Sequence, residues 1–314
     1  MLRSVLKVTH NVSAMSSGGF WNYSLIKIQQ MTIESTNDNT PTAPAITYSE
    51  CYAQPFCQLY HGDCLVEMDK IKDKSIDMIL CDLPYSVTQN KWDILIPFEP
   101  LWKQYERIIK ETGIIVLTGQ QPFTSALVMS NLKMFRYECI WDKVATNGFL
   151  NAKYMPLKRH ENILVFYKNK GTYNPQKTQR TEKEIRRGWK DKTYNFIGKK
   201  YEKSNYGIVS QNVSDDYEYD KKHPNSIITV SNGNGWTKKK SVHPTQKPTE
   251  LFEILIKTYT NEFDTVLDNC MGSGTTGVAC KNLNRKFIGI EKDEQYFNLA
   301  KKRIESHTVQ SELF

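Results

Sequence analysis

Thr265-Val-Leu-Asp-Asn-Cys-Met-Gly-Ser-Gly-Thr-Thr-Gly-Val-Ala-Cys280, running on to Phe287-Ile-Gly-Ile-Glu291, reads as a strand, a glycine turn, a helix and a second strand closed by an acid. Gly272 and Gly274 permit a tight turn and let the backbone approach a ligand. Glu291 lies about 20 residues further on, where an acid in such units receives ribose hydroxyls. A lone GxG carries little information. Between a strand and a helix, with the acid in place, it points to a nucleoside-like cofactor. Gly277 completes a GSGTTG run, so this loop alone leaves NAD binding open, as it leaves open a plain turn whose glycines serve packing.

Upstream, the apolar run Ser75–Cys81 ends in Asp82-Leu83-Pro84-Tyr85. Ligands of open α/β sheets bind beyond the carboxyl ends of the strands. A carboxylate there accepts hydrogen bonds, and an aromatic neighbour stacks on a flat substrate. The pair suits an exocyclic amino group on a nucleobase; a core aromatic at a strand end is the lesser alternative for Tyr85.

The remaining pattern agrees with an α/β domain. Strands are expected at Cys57–Tyr60, Ile76–Asp82, Gly113–Thr118, Tyr137–Trp141, Ile163–Tyr167, Thr265–Asp268 and Phe287–Glu291. Helices with one apolar face are expected at Phe98–Glu111, Thr249–Thr260 and Gln295–Ser306. Strands alternating with helices indicate a mostly parallel sheet covered on both faces.

Between Gly171 and Ser241 the periodicity lapses. Residues 172–241 hold 15 Lys/Arg against 8 Asp/Glu, a net of +7, nearly all of the chain's +8. Tyr173, Trp189, Tyr194, Phe196, Tyr201, Tyr206 and Trp236 are interleaved with this charge. Such a basic, aromatic stretch reads as a substrate-binding insertion, or as a solvated excursion with its own small core. Four segments follow: an extension at 1–45, a catalytic half at 46–171, a target-recognition insertion at 172–241 and a cofactor-binding half at 242–314. The extension is polar, carries no acid before Glu34, and is expected to be disordered, with Met31 as an alternative start. The seven cysteines are odd in number and lack CxxC spacing, so neither a disulfide framework nor a metal site is expected. That cysteine usage leads to the expectation of a reducing cytoplasm, and with no apolar run of membrane-spanning length no membrane partner is expected.

In this order, the motifs resemble those of the β-group amino-methyltransferases of DNA, which use S-adenosylmethionine. That group places a D/N/S-x-P-Y/F tetrad first, a target-recognition region next and the glycine loop last. The match also takes in His61-Gly62-Asp63-Cys64, His160–Phe166 and His243-Pro244-Thr245-Gln246-Lys247-Pro248, and spans about residues 57 to 305. The resemblance implies a seven-stranded Rossmann-like sheet with its last strand antiparallel. It implies transfer of a methyl group to adenine N6 of a base flipped from duplex DNA; cytosine N4 and a catalytically inactive DNA-binding protein of the same fold are the alternatives.

By the same resemblance Asp82, Leu83, Pro84 and Tyr85 are catalytic. Asp268, Cys270, Gly272, Ser273, Gly274, Thr275 and Glu291 would cradle S-adenosylmethionine. Asp63 would reach its adenine or merely cap the following helix. Gln246 and Lys247, just before a helix, would help hold its carboxylate, unless Lys247 is a solvated surface lysine. Double-stranded DNA is the implied partner; a homodimer and a cognate restriction endonuclease are compatible with the family. Two departures stand out: Asp268-Asn269-Cys270 replaces the usual Asp-Pro-Phe, and Leu83 replaces the commonest proline.

Overall fold

The computed structural model describes residues 56–85, 94–185, 200–201, 209–210, 218, 220–232 and 246–308. The expected extension at 1–45 and most of the basic insertion lie outside the described residues. Residues 51–314 form one compact unit. None of its described helices is long and apolar enough to cross a membrane.

Among the described residues the main sheet has eight strands. In chain order they are β1 Cys57–His61, β2 Ile76–Cys81, β3 Ile109–Gly119, β4 Phe135–Asn147, β5 Lys158–Phe166, β6 Ile227–Thr229, β7 Thr265–Asp268 and β8 Lys286–Glu291. Their spatial order is β1-β8-β7-β2-β3-β5-β4-β6. All pairings are parallel except those of β5 with β3 and with β4. β5 runs backward because residues 148–157 join it to β4 as a hairpin, a connection only antiparallel neighbours can make.

The strand alternation accounts for the two cores. Along β2, Ile79 and Cys81 face one cluster, and Met78 and Leu80 face the other, all fully buried. Helices α1 (Cys64–Glu67), α2 (Phe98–Ile108) and α3 (Phe123–Ser130) cover the first face through residues such as Leu101, Tyr105 and Leu127. Helices α4 (Thr249–Tyr259), α5 (Thr275–Asn282) and α6 (Glu294–Ser306) cover the second through Leu255, Ala279 and Ile304. Burial on both faces explains why these strands read as continuous apolar runs.

The expected seven strands are therefore eight. The extra one, β6, comes from the insertion and pairs in parallel with β4. It covers an edge whose backbone groups would otherwise lack partners. The Trp141 indole, nearly fully buried, donates from Nε1 to the Val230 carbonyl at 2.9 Å and locks that strand in place. The strand that runs antiparallel is fifth in chain order and lies inside the sheet. Three strands outrun their expected limits by several residues: β3 begins where α2 ends, β4 continues six residues past Trp141, and β5 starts five residues before Ile163.

Candidate active site

The carboxyl ends of β1, β2, β3, β7 and β8 point to one side of the sheet, where their loops enclose a cavity of about 680 Å³. That is the size range of a small-molecule site. Its wall includes all of the tetrad Asp82–Tyr85, together with Asp63, Gln246, Lys247, Asp268, Cys270, Gly272, Ser273, Thr275 and Glu291. Residues from both ends of the chain thus share one chamber. Among the expected site residues only Gly274 is absent from the lining.

The two loop glycines do different work. Both adopt left-handed backbone, with φ of +50° at Gly272 and +75° at Gly274. A Cβ on Gly272 would meet nothing within 4 Å, so this backbone is open to the chamber. A Cβ on Gly274 would lie 3.0 Å from the Ala300 Cβ and from Ile304 Cδ1, so that glycine lets α5 approach α6. Gly277 is tighter still, 2.4 Å from Ile304 Cδ1. The third glycine of GSGTTG therefore serves packing.

Two acids staple the loop. Asp268, at the end of β7, accepts from the Cys270 backbone N–H at 3.1 Å and from the Thr276 hydroxyl. Burial pushes its carboxyl up to about 7. Glu291, at the end of β8, accepts from the Gly272 N–H at 2.8 Å and the Asp293 N–H at 2.9 Å. Burial raises its pKa as well. Each carboxyl keeps spare acceptor capacity, since its two oxygens offer about four lone-pair sites. Asp63 caps α1 by accepting from Leu65 N–H at 3.0 Å and pairs with Lys292 at 3.1 Å, while still lining the chamber. Asn269 is buried and accepts from the Tyr105 hydroxyl at 2.6 Å, so its side chain faces the core.

At the other end of the chamber Asp82 is the hub of a charged network. Its Oδ1 accepts from the hydroxyls of Tyr85 and Thr118, and its Oδ2 from Lys247 Nζ at 2.6 Å. Tyr85 packs its ring on Phe123 at 5.1 Å between centroids. Burial raises its hydroxyl pKa well above the ordinary range, so the group stays a donor. Lys247 is neither a surface lysine nor turned to a helix end: its ammonium is buried on Asp82, 3.2 Å from Glu161 Oε2 and 3.4 Å from the Tyr85 hydroxyl. Burial favours the neutral amine, but Asp82 and Glu161 outweigh it and hold the pKa well above the ordinary lysine range.

Thr118, Gln120, Lys143 and Glu161 are the members of this network that sequence reasoning missed. Glu161 accepts from Lys143 Nζ at 2.5 Å and from Gln120 Nε2 at 2.8 Å. Burial pushes its carboxyl up, yet Lys247 and Lys143 more than offset this and hold it below the usual range. An available signal was the acid that leads the apolar run of β5 in His160-Glu161-Asn162-Ile163: a charge entering a buried strand needs a partner.

The chamber fits S-adenosylmethionine. It offers an open glycine backbone and spare carboxylate acceptors for ribose hydroxyls at one end, and further carboxylates suited to a cation. All six described cysteines are free, and no group of three or more metal-ligating side chains occurs among the described residues.

The chain is similar to known proteins. Residues 76–302 match the DNA methylase family model. The chain is 30% identical over 274 residues to the type II methyltransferase M2.LlaDCHI of Lactococcus lactis subsp. cremoris, covering 78% of this chain and 88% of that one. It is 28% identical to the DNA adenine methyltransferase YhdJ of Escherichia coli (strain K12), over 81% of this chain and 85% of that protein. The crystal structure of the M1.HpyAVI complex with S-adenosylmethionine superposes with a TM-score of 0.50 at 25% identity, over 79% of this chain and 99% of the other.

Proposed function

The chain belongs to the DNA methylase family, whose enzymes transfer a methyl group from S-adenosylmethionine to DNA, and on that premise we propose that it methylates the N6 amino group of a flipped adenine through Asp82. The observation that carries this reading is the position of Asp82. Its carboxylate stands at the end of β2 and shares a chamber with the open Gly272 backbone and Glu291. The tetrad begins with Asp, the residue that in this family leans toward adenine.

The cofactor would rest against Gly272, with Glu291 receiving ribose hydroxyls, Asp268 nearby and Asp63 toward the far end. When bound, it supplies an electrophilic methyl group. The amino nitrogen of adenine is a poor nucleophile because its lone pair is delocalised into the ring. Asp82 and the Leu83 carbonyl would accept its two hydrogens, which favours a pyramidal nitrogen with a directed lone pair. Tyr85 would lie against the flipped base. Catalysis is then positioning together with electrostatic stabilisation of a nitrogen that becomes positive. None of the cysteines is needed as a nucleophile.

The duplex would approach over the hairpin tip between β4 and β5. Asn147, which lines the chamber, leads directly into an exposed stretch with Phe149, Leu150 (97% exposed) and Tyr154 beside Lys153, Lys158 and Arg159. Apolar wedges with basic neighbours suit a distorted duplex. A cytoplasmic location, beside the DNA, belongs to the same proposal.

The test is incorporation of labelled methyl from S-adenosylmethionine into unmethylated genomic DNA, followed by sequencing of the modified base. Wild type is expected to give N6-methyladenine. Asp82→Ala should lose about 100-fold or more in rate, as when one preorganised transition-state group is removed. Full activity of that variant refutes the role of Asp82, and N4-methylcytosine as product refutes the choice of base.

A further inference from the structure

Glu161 Oε2 is a buried carboxylate oxygen without a hydrogen bond, the one such side-chain atom among the described residues. Lys247 Nζ lies 3.2 Å away, within ion-pairing distance, but gives its hydrogen bonds to Asp82 Oδ2 at 2.6 Å and to the Tyr85 hydroxyl at 3.4 Å. The ammonium thus sits between two carboxylates and bonds only one. The other is anchored by Lys143 and Gln120 through Oε1 alone.

Three hydrogen bonds already reach Asp82, and Oδ2 is its one oxygen with room for a further donor. Its Oδ1 already takes two hydroxyls, from Tyr85 and Thr118. A target amino group therefore meets Asp82 at Oδ2, where an N–H donor of Lys247 already stands.

We propose that Lys247 is a place-holder for the target amino group, and that Glu161 is the positioning residue that receives Lys247 when the base enters. The proposal rests on the reading of Asp82 as the acceptor of that amino group. On entry, the amino N–H replaces the ammonium at Asp82 Oδ2, and Lys247 completes a hydrogen bond to Glu161 Oε2. No proton changes owner and no covalent bond is broken; the Lys247–Asp82 hydrogen bond is exchanged for one to Glu161. Asp82 keeps a donor in both states, so its carboxylate is never left unmatched. The exchange conserves charge, because two carboxylates and two ammonium groups remain together throughout. Lys247 precedes Pro248 and α4, which fixes its backbone, so the movement is confined to its flexible side chain.

Removing the charge of Glu161 should trap Lys247 on Asp82. Removing Lys247 as well should free Asp82 again, with Lys143 left to balance it. The experiment measures methyl transfer by the full chain from labelled S-adenosylmethionine to unmethylated genomic DNA, for wild type, Glu161→Gln, and Glu161→Gln combined with Lys247→Met. Calorimetric affinity for S-adenosylmethionine and thermal melting are recorded on the same preparations. Glu161→Gln is expected to lower kcat at least tenfold, with KM for DNA and cofactor affinity within twofold of wild type. The double variant is expected to be at least fivefold faster than Glu161→Gln alone. A double variant as slow as, or slower than, the single one overturns the proposal, as does a Glu161→Gln enzyme with wild-type kcat. A loss of rate matched by loss of cofactor affinity also overturns it, since that marks a structural role. Should Glu161→Gln fail to fold, Glu161→Asp keeps the charge and withdraws the oxygens, and its loss must likewise be relieved by Lys247→Met. A wild-type chain that transfers no methyl to DNA refutes the functional reading itself. An active wild type with an unrelieved Glu161→Gln refutes only the exchange.

Discussion

Alanine at Gly272 and at Gly274 should separate binding from packing within one loop. The two residues are two positions apart and both have left-handed backbone, so each substitution incurs the steric penalty of an L-residue there, roughly 1–2 kcal/mol. At Gly272 that is the whole effect on the fold, because the added methyl meets nothing within 4 Å and the Gly272 N–H to Glu291 is retained. At Gly274 the methyl presses on the Ala300 Cβ and on Ile304 Cδ1, both at 3.0 Å, and on the Ala300 backbone at 3.2 Å. Overpacking of a filled contact adds about 1–3 kcal/mol. Gly274→Ala should therefore be about 1–3 kcal/mol less stable than Gly272→Ala in urea denaturation without cofactor. The ranking should invert for ligand. The Gly272 methyl projects into the chamber and should weaken S-adenosylmethionine about tenfold or more, equivalent to about 1.4 kcal/mol. Calorimetry on the folded fraction of Gly274→Ala should show an affinity near wild type. If Gly272→Ala binds cofactor within twofold of wild type, Gly272 is not the cradle. If the two variants are equally stable, the packing argument fails.

The fold makes further predictions. Asp268 has its folded pKa raised from 3.8 to about 7, so the neutral acid is favoured in the fold; this stabilisation is complete below about pH 3.8 and lost as pH rises through about 7. Urea denaturation of the cofactor-free protein should accordingly show Asp268→Asn gaining on wild type across that window, and parallel profiles for the two proteins would refute the assignment. Trp141→Phe removes the indole donor to the Val230 carbonyl and should lower stability by about 1–3 kcal/mol. Hydrogen exchange should also quicken at Ile228 and Val230, the amides of the strand it holds; unchanged protection there would show that β6 is held by other contacts.

Much of this was legible in one dimension. The runs Ile76–Asp82 and Thr265–Asp268 are apolar on both faces, which only a parallel sheet between two helical layers accommodates. Each ends in an acid followed by a turn, as does Phe287–Glu291, so the placement of Asp82, Asp268 and Glu291 at strand ends follows from local pattern. Periodicity did less well at β4 and β5, whose outer ends are polar: Lys143 and Glu161 extend the strands past their apolar stretches, and alternation says nothing of a charge paired across a hairpin. The eighth strand was hidden for the same reason, since Ile227–Thr229 is a strand only because the β4 edge and Trp141 are there to receive it.

By itself, then, the order of residues determined the layered α/β class, the strand-end acids, the glycine turn and the family they spell, because each is a property of neighbours in the chain. Tertiary structure alone decided what Gly272 and Gly274 each do, since that depends on whether α6 or open space stands opposite. It also decided the partner of Asp82. Lys247 lies 165 positions away, and only the closing of one sheet from both ends of the chain brings its ammonium between Asp82 and Glu161. A buried charge must find its counter-charge in space, and spacing along the chain carries no record of which one it finds.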